Sequence, residues 1–294
     1  MLRNVKLQSL MPIIVLAVLV VFFTFLNPNF FSMRNFARIA IAASPFLMVT
    51  IGVTFIIIMG SIDLSMEGTV SLTAIVFCFC FLFFGGTLGS GGWVAIPLAL
   101  LAGAIYGALN GFIHAKLLIP SFMSSLAMGF VGIGAAVLLT GGGIVRIDDD
   151  IFRSLLTYRI QGFPLMVYVA ILFLIFGIII QKFTVLGRNL YAIGGAEDLA
   201  AASGVPVLRT RILAFSLAGF YYSLAGVLQV AKLGQAESVT GANLMFLSIT
   251  AAVVGGVALW GAIGGVLNAL IGVLIVAVIN NGMVVIGLQI ICRM

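Results

Sequence analysis

The chain has 294 residues, of which 63% are apolar and 7% are charged, with a net charge of +6. An ordinary soluble domain carries roughly 25% charged residues, so this composition excludes a soluble globular enzyme; it also excludes disorder, which needs low hydrophobicity and high charge. The mean hydropathy of +1.32 points to a polytopic membrane protein, and the positive charge, scattered between apolar runs, reads as a topology signal and not as a nucleic-acid surface.

A membrane helix needs about 20 apolar residues. The charge-free stretches run Leu7–Met33, Ile39–Ile62, Gly68–Ala115, Leu117–Val145, Ile160–Gln181, Ile212–Ala231 and Ser238–Cys292. The third and the last are each long enough for two helices. The Gly85–Gly92 run divides the third, and Trp260-Gly261 is the expected break in the last. The expectation is an all-α polytopic bundle of about nine transmembrane helices. Continuous apolarity, without alternation, favours helices over a barrel. The first run follows Arg3 and Lys6, is longer than a signal-peptide core and lacks an A-x-A site, so it reads as a retained helix with its N-terminus cytoplasmic.

Parity tests that layout. Lys182, Arg188, Arg209 and Arg211 follow six spans and fall inside, as does Lys116 after the fourth; Asp148-Asp149-Asp150 falls outside. Arg34 and Arg38 run against the rule, because they follow the first span. No linker divides the chain, which reads as one membrane domain over 1–294 with a cytoplasmic segment at 182–211.

Asp63 and Glu67 lie between two apolar runs. A carboxylate at the bilayer centre costs about 2.5–3.5 kcal/mol on insertion scales, so the segment lies at an interface or lines a wet cavity. On a helix the two acids would share a face and serve a proton relay; the plainer alternative is a polar turn with Asp63 capping the next helix near Ser65. Glu197–Ser203 reads as a short Ala-rich helix bounded by Gly195 and Gly204, either a docking element or a solvated connection. Gly103, Gly107 and Gly111 form one smooth face for close packing. His114 and Lys116 read as interfacial anchors, the Phe77–Phe84 run as lipid-facing or packed, and Asn280 and Asn281 as a cap or a pathway lining. One His and three Cys make no metal cluster, and no P-loop, G-x-S-x-G or H-E-x-x-H motif occurs, so no catalytic residue, metal or ATP site is expected on this chain.

Gly60-Ser61-Ile62-Asp63-Leu64-Ser65 resembles the G-G-I-D-L-S motif of permease subunits of ribose/xylose-type ABC importers, the binding-protein-dependent inner membrane component family. Pro120–Met123 through Leu138–Gly142 resembles the family's P-x-F-(I/M) … L-L-T-G-G helix. Gly187–Val205 resembles its G-R-x-x-Y-A-x-G-G-N … A-A-x-x-S-G loop, and Ala251–Gly256 and Asn280-Asn281-Gly282 match later signatures. The resemblance runs through nearly the whole chain in order.

It implies two permease copies, or a copy with a close homologue, forming a pathway by alternating access. A cytoplasmic ABC ATPase would carry ATP and Mg, and a periplasmic or lipid-anchored binding protein would deliver a monosaccharide or related small polar solute at a bacterial inner membrane. Arg188, Tyr191, Gly194, Gly195, Glu197, Ala201, Ser203 and Gly204 would be coupling-loop positions; Asp63, Ser65, Glu67, Asn280 and Asn281 would form the helix break or pathway. The outer acids Asp148–Asp150, beside Arg146 and Arg153, would either dock the binding protein or form a merely solvated loop.

Three departures stand out. Met66-Glu67-Gly68 replaces the family's V-G. Gly255–Gly264 loses polar and flexible positions. After Asn-Asn-Gly, Met283–Ile291 is nine residues where relatives carry another span, so the family's final helix is expected to be missing. Two other readings remain at this point: a secondary transporter or channel using Asp63 and Glu67, and an inactive truncated permease.

Overall fold

The computed structural model describes residues 2–287, with side chains from Leu10 onward. It is an all-α bundle. Long helices α1 (Leu2–Leu26), α2 (Met33–Ile58), α3 (Met66–Phe83), α4 (Ala95–Leu117) and α5 (Ser121–Thr140) come first. A cap follows, made of β1 (Val145–Arg146), α6 (Asp150–Thr157) and the strands β2 (Arg159–Ile160) and β3 (Phe163–Pro164). Helix α7 (Leu165–Phe183) leads to two short helices, α8 (Val185–Gly195) and α9 (Glu197–Ala202). The chain ends with α10 (Val207–Leu233), β4 (Gln235–Ala236), α11 (Leu244–Val254) and α12 (Val266–Val285).

Among the described residues, seven helices are long and apolar enough to cross a membrane. The expected count of nine is not reached among the described residues, as its next-to-last member shows. Only Leu244–Val254 of that stretch is helical, and 11 residues reach about 16 Å at 1.5 Å per residue, roughly half a bilayer core. The break there is also broader than Trp260-Gly261, since 255–265 is non-helical. The expected loss of the final helix concerns the tail, which beyond residue 287 lies outside the described residues.

Helix α2 is the centre. Every residue from Ala43 to Ile58 is buried, as expected of a helix apolar on all sides. Around it pack α7, α10, α11 and α12. The Gly103–Gly107–Gly111 face lies on α10: a Cβ added at Gly107 would stand 2.1 Å from the Phe215 carbonyl oxygen, and one at Gly103 2.5 Å from that of Gly219. The same device joins α3 to α5, where a Cβ on Gly68 would lie 2.0 Å from the Gly129 oxygen. Phe77 and Phe81 pack against Phe152 of α6, while Phe79 and Phe83 are exposed.

The acidic loop is ordered and not merely solvated. Asp149 caps α6 by accepting from the Phe152 amide at 2.9 Å and also accepts from Leu88 N at 3.3 Å; Asp148 and Arg153 form an exposed ion pair. Strand β1 pairs antiparallel with β4, tying this cap to the end of α10, and Gln161-Gly162, both at positive φ, turn the β2–β3 hairpin. His114 is buried, with Nδ1 2.7 Å from the Ile119 oxygen, so it is no interfacial anchor; Lys116 is exposed.

Replacing Gly107 by Val drives a side chain into backbone and should destabilise the bundle by about 1–3 kcal/mol or more, the usual cost of overpacking. Gly134→Ala, where a Cβ meets nothing within 4 Å, is the control. Thermal unfolding in detergent should separate the two; equal midpoints would exclude backbone contact between α4 and α10.

Candidate functional site

Three features occupy the bundle. The first is the break between α2 and α3. Gly60, at φ +76°, closes α2, with Gly60 N donating to Ile57 and Ser61 N to Ile56. Asp63 is buried, 1% exposed, and accepts from all sides. Its Oδ1 takes the Ser65 amide (2.9 Å) and hydroxyl (2.7 Å), with Asn110 Nδ2 at 3.5 Å; its Oδ2 takes the Tyr222 hydroxyl (3.1 Å). The loop backbone is held from α5: Ile62 N donates to Ser121 Oγ and Leu64 N to Ser125 Oγ. Asp63 therefore knots α3, α4 and α10 together.

Glu67 points elsewhere. Its Oε1 accepts from Met245 N at 3.3 Å, at the start of the half-length α11, and Ser71 Oγ accepts from Gly241 N close by. Asp63 is not on a helix, so the two acids share no face and the structure brings no Asp63–Glu67 relay together. Asp63 does bond Ser65, but Ser65 itself occupies the cap position, without a side-chain cap bond.

The second feature is the α8–α9 pair. The sequence reading has one short helix here; the structure has two, because Thr184 Oγ1 accepts from Gly187 N and starts α8 after α7. Gly194 lies against the end of α2: a Cβ there would stand 2.0 Å from the Ile58 oxygen, which also accepts from Ala262 N at 2.9 Å. Tyr191 donates to the Gly264 carbonyl and accepts from Gln181, whose Oε1 takes Val266 N at 2.8 Å. Burial raises the Tyr191 phenol above its ordinary pKa, opposed by the Gln181 bond. Glu197 pairs with Arg211 of α10. Arg188, Gly195, Ala201, Ser203 and Gly204 are exposed, and Leu199 of α9 is 70% exposed. The pair is thus gripped on one face and open on the other.

The third feature, at the opposite end of α2, α10 and α12, is a cavity of about 340 Å³ with an adjoining one of about 440 Å³. Asn280 and Asn281 line the first, with Arg38, Gln229 and Lys232; Pro45, Phe46, Leu244 and Leu247 supply its apolar wall. Asn35 Nδ2 donates to Asn281 Oδ1 at 2.9 Å. Asp63 and Ser65 do not line this cavity, and Glu67 lines a separate groove along α5. Arg38, Gln229 and Lys232 were missed from sequence. The violation of the charge rule at Arg34 and Arg38 was the available signal, since both arginines line these cavities.

A family model described as the branched-chain amino acid transport system permease component matches residues 35–291. The chain is 32% identical over 281 residues to the ribose import permease protein RbsC of Escherichia coli K12, covering 94% of this chain and 86% of that protein. To the L-arabinose transport system permease protein AraH of the same strain it is 31% identical over 272 residues, covering 92% and 81%. To RbsC of Bacillus subtilis it is 31% identical over 288 residues, covering 96% and 87%. No solved structure matches.

Asp63→Ala should cost about 3 kcal/mol or more, because it strands the Ser65 amide and hydroxyl and the Tyr222 hydroxyl at about 1–3 kcal/mol for each unsatisfied group; Tyr222→Phe should cost about 1 kcal/mol. Chemical unfolding of the purified chain reads both, and an Asp63→Ala protein as stable as wild type would remove Asp63 as the tie.

Proposed function

The chain belongs to the branched-chain amino acid transport system permease component family, and from that premise we propose that it is the membrane subunit of an ATP-driven importer of a monosaccharide or related small polar solute. The observation that carries this reading is the placement of a cavity that holds Arg38, Gln229, Lys232, Asn280 and Asn281 at one end of α2, α10 and α12 and a pair of half-exposed short helices at the other. The sugar permeases among its relatives, and the Ile62-Asp63-Leu64-Ser65 run, favour a sugar over an amino acid.

In this reading the chain sits in a bacterial inner membrane with its N-terminus and the 182–211 segment cytoplasmic. That orientation sets Lys182, Arg188, Arg209 and Arg211 inside. Two copies, or a copy and a homologue, form the pathway. A cytoplasmic ATPase, which binds ATP and Mg, docks on the open face of α8–α9, with Arg188, Ala201, Ser203 and Gly204 at the contact. A solute-binding protein delivers from the other side, over the cap that carries Asp148.

No covalent chemistry falls to this chain. Its work is to favour one of two conformers as the ATPase closes and opens, which needs contacts that differ between the two states. Tyr191 and Gly194 transmit the displacement, because they touch the 258–265 turn and the end of α2 directly. Asn280 and Asn281 lie where the solute passes.

A gentle-detergent pull-down of the tagged chain from its native membrane should bring down an ATPase with P-loop motifs. Leu199→Asp should lose it while the chain stays folded, since that side chain is mostly exposed. Glu197→Lys should also uncouple, by breaking the pair with Arg211. A chain that brings down no ATPase and drives proton-linked uptake alone would overturn the proposal.

A further inference from the structure

We infer that the cavity between α2, α10, α11 and α12 selects polyhydroxylated solutes that carry a fixed negative charge, sugar acids or sugar phosphates, and that Arg38 and Lys232 read that charge. This rests on the cavity being the solute pathway, as proposed above.

The lining of the cavity is chemically one-sided. The lining residues include the cations Arg38 and Lys232 and the amide-bearing Gln229, Asn280 and Asn281, with no acid among them. The adjoining cavity adds Arg34, again without an acid. The ion pairs among the described residues lie elsewhere, at Arg153–Asp148 and Arg211–Glu197. Lys232 is half-buried beside Gln229, so its charge is partly stripped of water without a counter-charge. Such a cation gains most from an anion that follows it into the cavity. Arg38 offers a planar fork that suits a carboxylate or a phosphate.

The remaining groups fit the rest of a sugar. Gln229 lines the cavity from α10 and carries an amide of the kind that pairs with a solute hydroxyl. Asn280 and Asn281 add amide donors and acceptors, and Phe46 an apolar surface. The volume, about 340 Å³, lies at the small end of ligand sites and suits one monosaccharide-sized solute. A neutral sugar would leave both cations unanswered.

The test uses the full chain in lipid nanodiscs, with D-galacturonate, ribose 5-phosphate and D-ribose as probes at matched ionic strength, and sodium sulfate as the simple-anion control. Binding is read by isothermal titration and by the thermal midpoint. The expected result is binding of galacturonate or ribose 5-phosphate but not of ribose or sulfate. Which acid binds separates carboxylate from phosphate. Arg38→Gln and Lys232→Gln should each weaken it by about tenfold or more, the loss of one charge-assisted contact. Arg38 is exposed, so its variant leaves the bundle intact even if that of Lys232 does not.

Ribose binding as well as the acids, unchanged in both variants, would overturn the inference, as would an equal response to sulfate or no binding by any probe. ATPase co-purification is scored on the same preparations. If the ATPase is retained and acid binding is absent, only the charge inference falls. If acid binding is present without an ATPase, it is the importer reading that falls.

Discussion

Backbone-to-backbone contact at glycine is the constraint on which this bundle depends. Lipid tails are as apolar as leucine, so helices in a bilayer gain little from burying apolar surface against one another and associate through close packing and hydrogen bonds. Gly103 and Gly107 let α4 reach the α10 backbone, Gly68, Gly129 and Gly132 do the same for α3 and α5, and Gly255 and Gly272 for α11 and α12. Gly194 extends the principle beyond the long helices, by seating α8 against the last carbonyl of α2. These contacts set how far apart the helices stand, and hence where the cavity and the break lie.

Close packing alone does not explain the two irregular stretches. Unwound backbone within a bundle needs partners for its amides and carbonyls. Around 59–65 they come from Ser121 and Ser125, while Asp63 collects donors from Ser65, Asn110 and Tyr222. Around 235–243 and at the start of α11 they come from Thr240, Ser71 and Glu67. In both places one carboxylate serves an interruption of helix. That accounts for two acids surviving among so many apolar residues without forming a pair.

Much of this was legible in the residues. Long charge-free runs mark the helices because a span must be apolar along its length, and the Gly85–Gly92 run marks a true end. The three glycines of α4 were legible because a four-residue spacing leaves one helix face bare. The α9 helix was legible from Ala-rich composition between glycines. What stayed hidden depends on partners remote in sequence. The place where α11 starts involves Glu67 and Ser71, some 170 residues earlier, which accept from the Met245 and Gly241 amides. The start of α8 depends on Thr184, a cap inside what reads as a continuous polar loop. The cavity joins Arg38, Gln229 and Asn281 from three separate helices; Arg38 and Asn281 stand out in their own segments, but nothing in sequence brings them to one place. Periodicity describes one element at a time, and a cavity belongs to none.

The hairpin formed by α11, the 255–265 turn and α12 has a mechanical consequence. Leu244 and Leu247 form part of the cavity wall, and Gly264, in the turn of the same hairpin, accepts from Tyr191. Between them α11 is only about 16 Å long and is locked to α12 at Gly272. A rod that short and that tightly seated has little compliance to absorb a push at one end. In the proposed importer a tilt of the turn would therefore be carried along α11 to Leu244 and Leu247, so that the wall of the cavity and the contact with Tyr191 are two ends of one short, closely packed hairpin.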